Sequence, residues 1–310
     1  MYKTIMGELT RKDAFDGDLL VDEPMRRHTT LRIGGPADVY AAPADMVSLK
    51  NLLASLRDEN VPAMPLGGGS NLLVSDEGIE GAVISTASLN NIEVIEEDDL
   101  QARLFAEAGV PLSRLMNLAK QKGWKGIEGL AGIPGSLGGA VRGNAGSFGY
   151  EMKNVIESVT VIDGKGNILP ISREHLGFGY RAANIPDGAV ILSANMRFQK
   201  DDEQKVASRV NDFLREKLAK QPVSQLSAGC VFRNPRGSHA GMLIDRAGCK
   251  GMRRGDIEVS GLHANFFVNM GSGTCADFAA LMEEVRERVL KSSGIELEPE
   301  IKIAGRNAER

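Results

Sequence analysis

The amino-acid sequence predicts a chain of mixed α and β character, and three observations carry that expectation. Apolar residues recur at helical spacing in four separate segments, Val-, Ile- and Leu-rich runs of strand length lie between them, and two junctions are unusually dense in glycine. The first helix is expected from Asp45 to Glu59, where Leu49, Leu52, Leu53 and Leu56 form one apolar face, Lys50 and Arg57 face solvent, and Pro62 and Pro65 follow the end. A second is expected from Pro111 to Lys122, with Pro111 in its first turn, Leu112, Leu115, Met116 and Ala119 inward, and Gly123 as the stop. Ser158 to Ile162 and Ile168 to Ile171 flank the turn sequence Asp163-Gly164-Lys165-Gly166-Asn167 and read as a hairpin. The charge run from Gln199 to Lys205 marks a composition shift, and a domain boundary is placed near residue 200. Val206, Val210, Phe213 and Leu214 then mark a helix leading to Lys220-Gln221-Pro222. A last helix starts at Thr274, with Asp277 in capping-box position, and Phe278, Leu281, Met282, Val285 and Val289 share one face before Gly294.

Size and composition bound the function. With 310 residues and 42% hydrophobic content, the chain is long enough for two or three cores. A net charge of −4 without a clustered basic excess argues against nucleic acid as a partner. No stretch approaches the roughly 18 apolar residues of a membrane helix, and the first twenty residues lack an apolar core of signal-peptide length, so a soluble cytoplasmic protein is expected. Cys230, Cys249 and Cys275 are odd in number and widely spaced, and His28, His175, His239 and His263 show no ligand spacing. No disulfide framework and no metal are expected.

The glycine clusters are the most specific local signal. Gly129 to Gly149 reads GLAGIPGSLGGAVRGNAGSFG, and Leu66-Gly67-Gly68-Gly69-Ser70-Asn71 lies upstream. Clustered amides without side chains suit phosphate oxygens, although a run of tight turns has the same composition. Neither cluster has the Gly-x-Gly-x-x-Gly spacing of a Rossmann dinucleotide site, and neither is followed by the Gly-Lys-Ser/Thr of a P-loop.

Longer phrases narrow the reading. His28-Thr29-Thr30-Leu31-Arg32-Ile33-Gly34-Gly35-Pro36-Ala37-Asp38, Leu66 to Leu73, Gly132-Ile133-Pro134-Gly135-Ser136-Leu137-Gly138-Gly139-Ala140, Gly179-Tyr180-Arg181, Ser227 to Pro235, His263-Ala264-Asn265-Phe266 and Leu297-Glu298-Pro299-Glu300 together resemble the UDP-N-acetylenolpyruvoylglucosamine reductases of peptidoglycan synthesis. The resemblance covers nearly the whole chain in the same order. It implies an α+β architecture: an FAD-binding fold of the vanillyl-alcohol-oxidase type with two α+β subdomains over residues 20–200, divided near 90, followed by a smaller α+β substrate-binding domain over residues 201–310 whose C-terminal strand carries a catalytic Glu. No long insertion with a tyrosine separates Tyr180 from Lys220, so the chain resembles the shorter type without the tyrosine loop.

The same resemblance implies the chemistry. Noncovalent FAD takes a hydride from NADPH and delivers it to the β carbon of an enolpyruvyl ether on UDP-N-acetylglucosamine, giving UDP-N-acetylmuramate. By motif match Arg181 balances the developing enolate, Glu300 assists it, and Cys230, at a position usually occupied by serine, donates the α-carbon proton. The guanidinium is a permanently charged fork suited to a carboxylate. A thiol, with a reference pKa of about 8.5, is a more willing acid than an alcohol. Each residue has a plainer reading: a surface arginine, a solvent-facing strand glutamate, a core cysteine. Substrate contacts are expected at Lys220, Arg233, Asn234, His263 and Asn265, with a solvated helix end as the plainer role of Lys220. Cofactor contacts are expected at Arg32, at Gly67, Gly68, Gly69, Ser70 and Asn71, at Ile133, Pro134, Gly135, Gly138, Gly139 and Ala140, and, beside the flavin ring, at Asn144 and Gly146. Neither loop holds a histidine, so a covalent histidyl flavin is not expected. Two rival classes are an FAD-dependent oxidase of the same broad fold and a non-catalytic nucleotide-sugar binder. The partners implied are the two small-molecule substrates, with no obligate protein partner.

Overall fold

In the computed structural model residues 14–307 are described. The expectation about a signal-like segment falls mainly on residues 1–13, outside the described residues. The described residues form two compact units, the first of residues 14–22, 38–68 and 81–216, the second of residues 23–37, 69–80 and 217–307. The single boundary expected near residue 200 therefore differs from the observed division. The helix from Glu203 to Lys220 crosses the division between residues 216 and 217, and two N-terminal segments join the C-terminal unit.

Among the described residues unit 1 contains a four-stranded sheet, a six-stranded sheet and a two-stranded hairpin of Gly146–Ser147 and Tyr150–Glu151. In the four-stranded sheet the order is Gly17–Pro24, Pro36–Pro43, Ile79–Ser85, Ala63–Leu66. Helix α1 (Met46–Asp58) begins as expected, because the Asp45 carboxylate accepts the Ser48 amide hydrogen at 2.8 Å. It buries Leu49, Leu52, Leu53 and Leu56 against Val39, Ala82 and Ile84 of that sheet. Each buried leucine contributes at most about 1.5–3 kcal/mol. The larger sheet carries Ile156–Ile162 between Ile168–Ser172 and Val190–Lys200, with Gln101–Glu107 and Ile92–Glu97 beyond. The predicted hairpin is its edge. Asp163 closes the turn by accepting the amide hydrogens of Lys165 and Asn167.

Helix α2 (Leu112–Lys122) ends at Gly123 with φ 66, and packs its apolar face into the core that holds Trp124 and Phe198. Helix α3 (Leu137–Arg142) is a short helix inside the second glycine cluster, where the sequence suggested only turns or loops. Helix α4 (Glu203–Lys220) buries Val206 and Val210, while Phe213 stacks on Phe148 at 4.8 Å between ring centres. Leu214, expected on the apolar face, is 36% exposed.

Unit 2 packs helix α5 (Ala240–Arg246) and helix α6 (Cys275–Ser293) around a core that includes Phe232, Phe267 and Phe278. The capping box at Thr274 and Asp277 is formed, and Gly294 closes α6 in the left-handed conformation. Leu31, Ile33 and Leu73 belong to this same core, which is the physical reason the N-terminal segments join the unit. Leu72–Val74 pairs in parallel with Lys302–Ala304, and the buried amide of Asn269 donates to the Leu31 carbonyl at 2.8 Å. Neither partner is local in sequence, so no periodicity could announce them.

Candidate active site

The two glycine clusters meet within unit 1. A Cβ placed on Gly68 would fall 2.6 Å from the Gly135 Cα, and one on Gly67 would fall 2.5 Å from the Ser136 Oγ, so any side chain at either position would strike the opposite loop. The Ser136 hydroxyl is buried and has no hydrogen-bond partner among the described residues. A buried hydroxyl without a partner is costly and calls for a ligand oxygen. Bare backbone from two loops beside such a donor fits the phosphates of a flavin nucleotide. Ser136 was missed by sequence reasoning, although it lies inside the quoted Ile133 to Ala140 run. Of that run, Pro134 and Gly139 are exposed, Ile133 and Gly135 are half-buried, and Gly138 and Ala140 are buried.

The first cluster divides between the units. Gly69, Ser70 and Asn71 belong to unit 2, where Gly69 takes φ 60 and a Cβ would fall 2.0 Å from the His28 carbonyl oxygen. Arg32 lies nearby in chain order with φ 56 and an exposed side chain.

Arg181 occupies the left-handed region with φ 57, at a turn closed by the Gly179 amide donating to the Ala182 carbonyl at 3.0 Å. Its Nη1 donates to the Gly146 carbonyl at 2.9 Å, and its guanidinium carbon lies 5.5 Å from the Tyr180 ring centre. Asn144 is 1% exposed, and its side chain serves this turn: Nδ2 donates to the Gly179 carbonyl and to Glu151 Oε2, both at 2.9 Å, while Oδ1 accepts from the Lys153 amide at 3.0 Å. The contact to a flavin ring expected of Asn144 has no donor left to make it in this arrangement. Gly146 contributes its carbonyl to Arg181.

In unit 2 the structure brings Cys230 and Glu300 together. Cys230 bridges Phe266, Phe232 bridges Pro299, and the Glu300 amide donates to the Val231 carbonyl at 2.7 Å. Both residues are half-buried, and the Asn71 side chain donates to the Glu300 carbonyl at 3.2 Å. Asn265 holds the Cys230 segment in place. Its Oδ1 accepts from the Phe232 amide at 2.9 Å, its Nδ2 donates to the Phe232 carbonyl at 2.7 Å, and it is 1% exposed. The Asn265 side chain, expected at the substrate, is engaged here with the Phe232 backbone. The neighbouring His263 accepts the Asn265 amide hydrogen on Nδ1 at 3.3 Å, and burial lowers the imidazole pKa. Arg233 keeps a buried Nε without a partner among the described residues, which suits an anionic ligand. Asn234 is exposed and accepts the Ala240 amide hydrogen, and Lys220 is exposed at the end of α4.

Cys249 is fully buried and Cys275 half-buried. Burial raises both thiols, Cys275 to about 11 with Asp76 adding to the effect, so neither offers a thiolate near neutral pH. Among the described residues no group of three or more His, Cys, Asp or Glu side chains could hold a metal ion, and no helix is long and apolar enough to cross a membrane. Two clefts, of about 330 Å³ in unit 2 and about 720 Å³ in unit 1, contain none of the residues singled out above for cofactor, substrate or catalysis.

Comparison with known proteins decides the family. A family model described as the UDP-N-acetylenolpyruvoylglucosamine reductase C-terminal domain matches residues 221–304, and one described as an FAD binding domain matches residues 37–172. A UDP-N-acetylenolpyruvoylglucosamine reductase from Syntrophus aciditrophicus is 40% identical over 294 residues, covering 95% of this chain and 94% of the relative. The chain belongs to that family. A member from Clostridioides difficile is 38% identical, covering 93% of this chain and 94% of its own length. The crystal structure of the reductase from Thermus caldophilus superimposes with a TM-score of 0.79 at 32% identity, covering 94% of this chain and 99% of that one. The chain is α+β and carries an FAD-binding domain, as the motifs implied.

Proposed function

We infer that this chain reduces the enolpyruvyl ether of UDP-N-acetylglucosamine to UDP-N-acetylmuramate with NADPH, through bound FAD, in the cytoplasm as a step of peptidoglycan precursor synthesis. The observation that carries the reading is the likeness over 95% of the chain to a reductase of that name, together with the backbone bond that ties Glu300 to Val231, the residue next to Cys230, in unit 2. FAD, when bound, accepts the hydride of NADPH and supplies it to the substrate's β carbon. Gly67, Gly68, Gly135 and the Ser136 hydroxyl would hold its phosphates, since bare backbone and an unpaired donor suit them.

The residues of the chain then have three tasks. Hydride arrival at the β carbon leaves an electron pair at the α carbon, conjugated with the carboxylate, and the guanidinium of Arg181 stabilises that charge. The Cys230 Sγ–H gives its proton to the α carbon, the C–H bond forms as the S–H bond breaks, and the thiolate regains a proton from solvent. Glu300, fixed through its own backbone to the Cys230 segment, assists at the carboxylate. Arg233, Asn234 and Lys220 serve the anionic part of the substrate. Asn265 acts indirectly, by fixing the segment that carries the thiol.

The test is the purified holoenzyme with Arg181→Ala. Reoxidation of reduced flavin by the enolpyruvyl substrate slows by roughly 100- to 1000-fold, the usual worth of one donor at a developing oxyanion. Flavin reduction by NADPH stays close to the parent rate, because it creates no enolate. Equal slowing of both half-reactions would overturn the role.

A further inference from the structure

The guanidinium of Arg181 depends on a residue that touches neither flavin nor substrate in the roles above. Arg181 is a non-glycine residue in the left-handed region, a conformation that persists only where neighbours hold it. Its backbone turn is anchored at the Gly179 carbonyl, and the group that anchors it is the Asn144 amide. Its head is anchored at the Gly146 carbonyl, and Gly146 pairs across a tight hairpin with Glu151, the second acceptor of the same amide. A Cβ at Gly146 would lie 2.8 Å from the Glu151 Cγ and 3.4 Å from the Arg181 Nη1, so the glutamate stem and the guanidinium close on a position with room only for hydrogen. Asn144 is itself left-handed, with φ 38, a conformation asparagine tolerates better than most residues, and the Lys153 amide occupies its oxygen. The Glu151 carboxyl is held below its usual range, first by Lys153 and also by Asn144 and Arg181, so it stays an anion beside the arginine.

We propose that Asn144 is a positioning residue for Arg181: one buried amide couples the turn that carries the arginine to Glu151, next to the carbonyl that receives its guanidinium. The chain spacing supports a specific device. Asn144 reaches Gly179 across 35 positions and Glu151 across 7, so a single side chain ties the turn that carries the arginine to the residue paired with Gly146. Glu151 is the charged partner in this arrangement. The proposal rests on the reading of Arg181 as the group that stabilises the developing negative charge.

The experiment is a double-mutant cycle on the flavin-loaded enzyme, followed by stopped-flow absorbance in both half-reactions. Asn144→Ala slows reoxidation by the enolpyruvyl substrate by about 10- to 100-fold, the cost of a displacement near 1 Å, and leaves reduction by NADPH near the parent rate. In an Arg181→Ala background the same substitution changes reoxidation by less than about 3-fold, since coupled residues are non-additive. An undiminished loss in that background overturns the proposal, as does equal slowing of both half-reactions, which marks a merely structural residue. Arg181→Ala measured alone separates the two failures: a parent-like reoxidation rate there refutes the role of Arg181 itself. Where Asn144→Ala retains no flavin, Glu151→Ala runs the same cycle, because it removes one of the two acceptors that hold the Asn144 amide. It slows reoxidation in the parent and not in Arg181→Ala, and a parent-like rate in both backgrounds overturns the proposal.

Discussion

Asn265→Ala separates a supporting residue from a substrate contact. The Asn265 side chain is 1% exposed and makes paired bonds of 2.9 and 2.7 Å to the amide and carbonyl of Phe232, itself fully buried. Truncation leaves both backbone groups without partners. At about 1–3 kcal/mol for each buried group left unsatisfied, the loss is about 2–6 kcal/mol, and a water entering the polar space the amide vacates brings it toward the lower half of that range. Asn234→Ala is the control, because the Asn234 oxygen accepts one amide hydrogen at an exposed site and its loss costs about 1 kcal/mol. Urea denaturation of the holoenzyme, followed by circular dichroism, measures both. The Cys230 segment loosens with Asn265→Ala, so reoxidation by the enolpyruvyl substrate slows as well. A stability change under about 0.5 kcal/mol, with only a raised KM, would refute the supporting role and return Asn265 to the substrate.

Cys230→Ala leaves flavin reduction by NADPH fast and slows reoxidation by about 100- to 10,000-fold, whereas Cys230→Ser retains much of the activity; stopped-flow absorbance separates a proton donor from a structural cysteine, which would leave the half-reactions alike. Acid or urea denaturation releases all the flavin into the supernatant, since no loop histidine is present to hold it, and colour remaining with the precipitated chain would contradict noncovalent binding. Burial depresses the pKa of His263 in the folded chain, so the unfolded chain binds more protons between that lowered value and the ordinary imidazole value of 6.5. Stability contributed by the neutral imidazole is therefore full above about 6.5 and is lost as the pH falls through and below it. Urea midpoints measured from pH 8 to pH 5 fall less steeply in His263→Gln than in the parent, and parallel curves would rule the histidine out.

Local chemistry alone determined much of the architecture. Asp45, Thr274 with Asp277, and Gly294 mark helix ends because a cap is a contact between near neighbours, and Asp163 closes its hairpin for the same reason. Leucine spacing marked the buried face of α1, since a period of 3.6 follows from helix geometry. The motif order also carried the family and its FAD-binding fold, and within unit 2 it named the pair Cys230 and Glu300 that the backbone brings together. Leu214 escaped this reading because periodicity does not say how wide a buried face is. Only the tertiary structure decided where the amides of Asn144 and Asn265 point. Their partners at Gly179 and Phe232 lie 35 and 33 positions away, and an asparagine in a loop motif looks the same in sequence whether it binds a ligand or a distant backbone. The unpaired Ser136 hydroxyl, the division of the Gly67 to Asn71 run between units, and the recruitment of residues 23–37 and 69–80 into the C-terminal core have the same origin. Each depends on which buried groups find partners once the chain has closed on itself, and burial is a property of the folded whole.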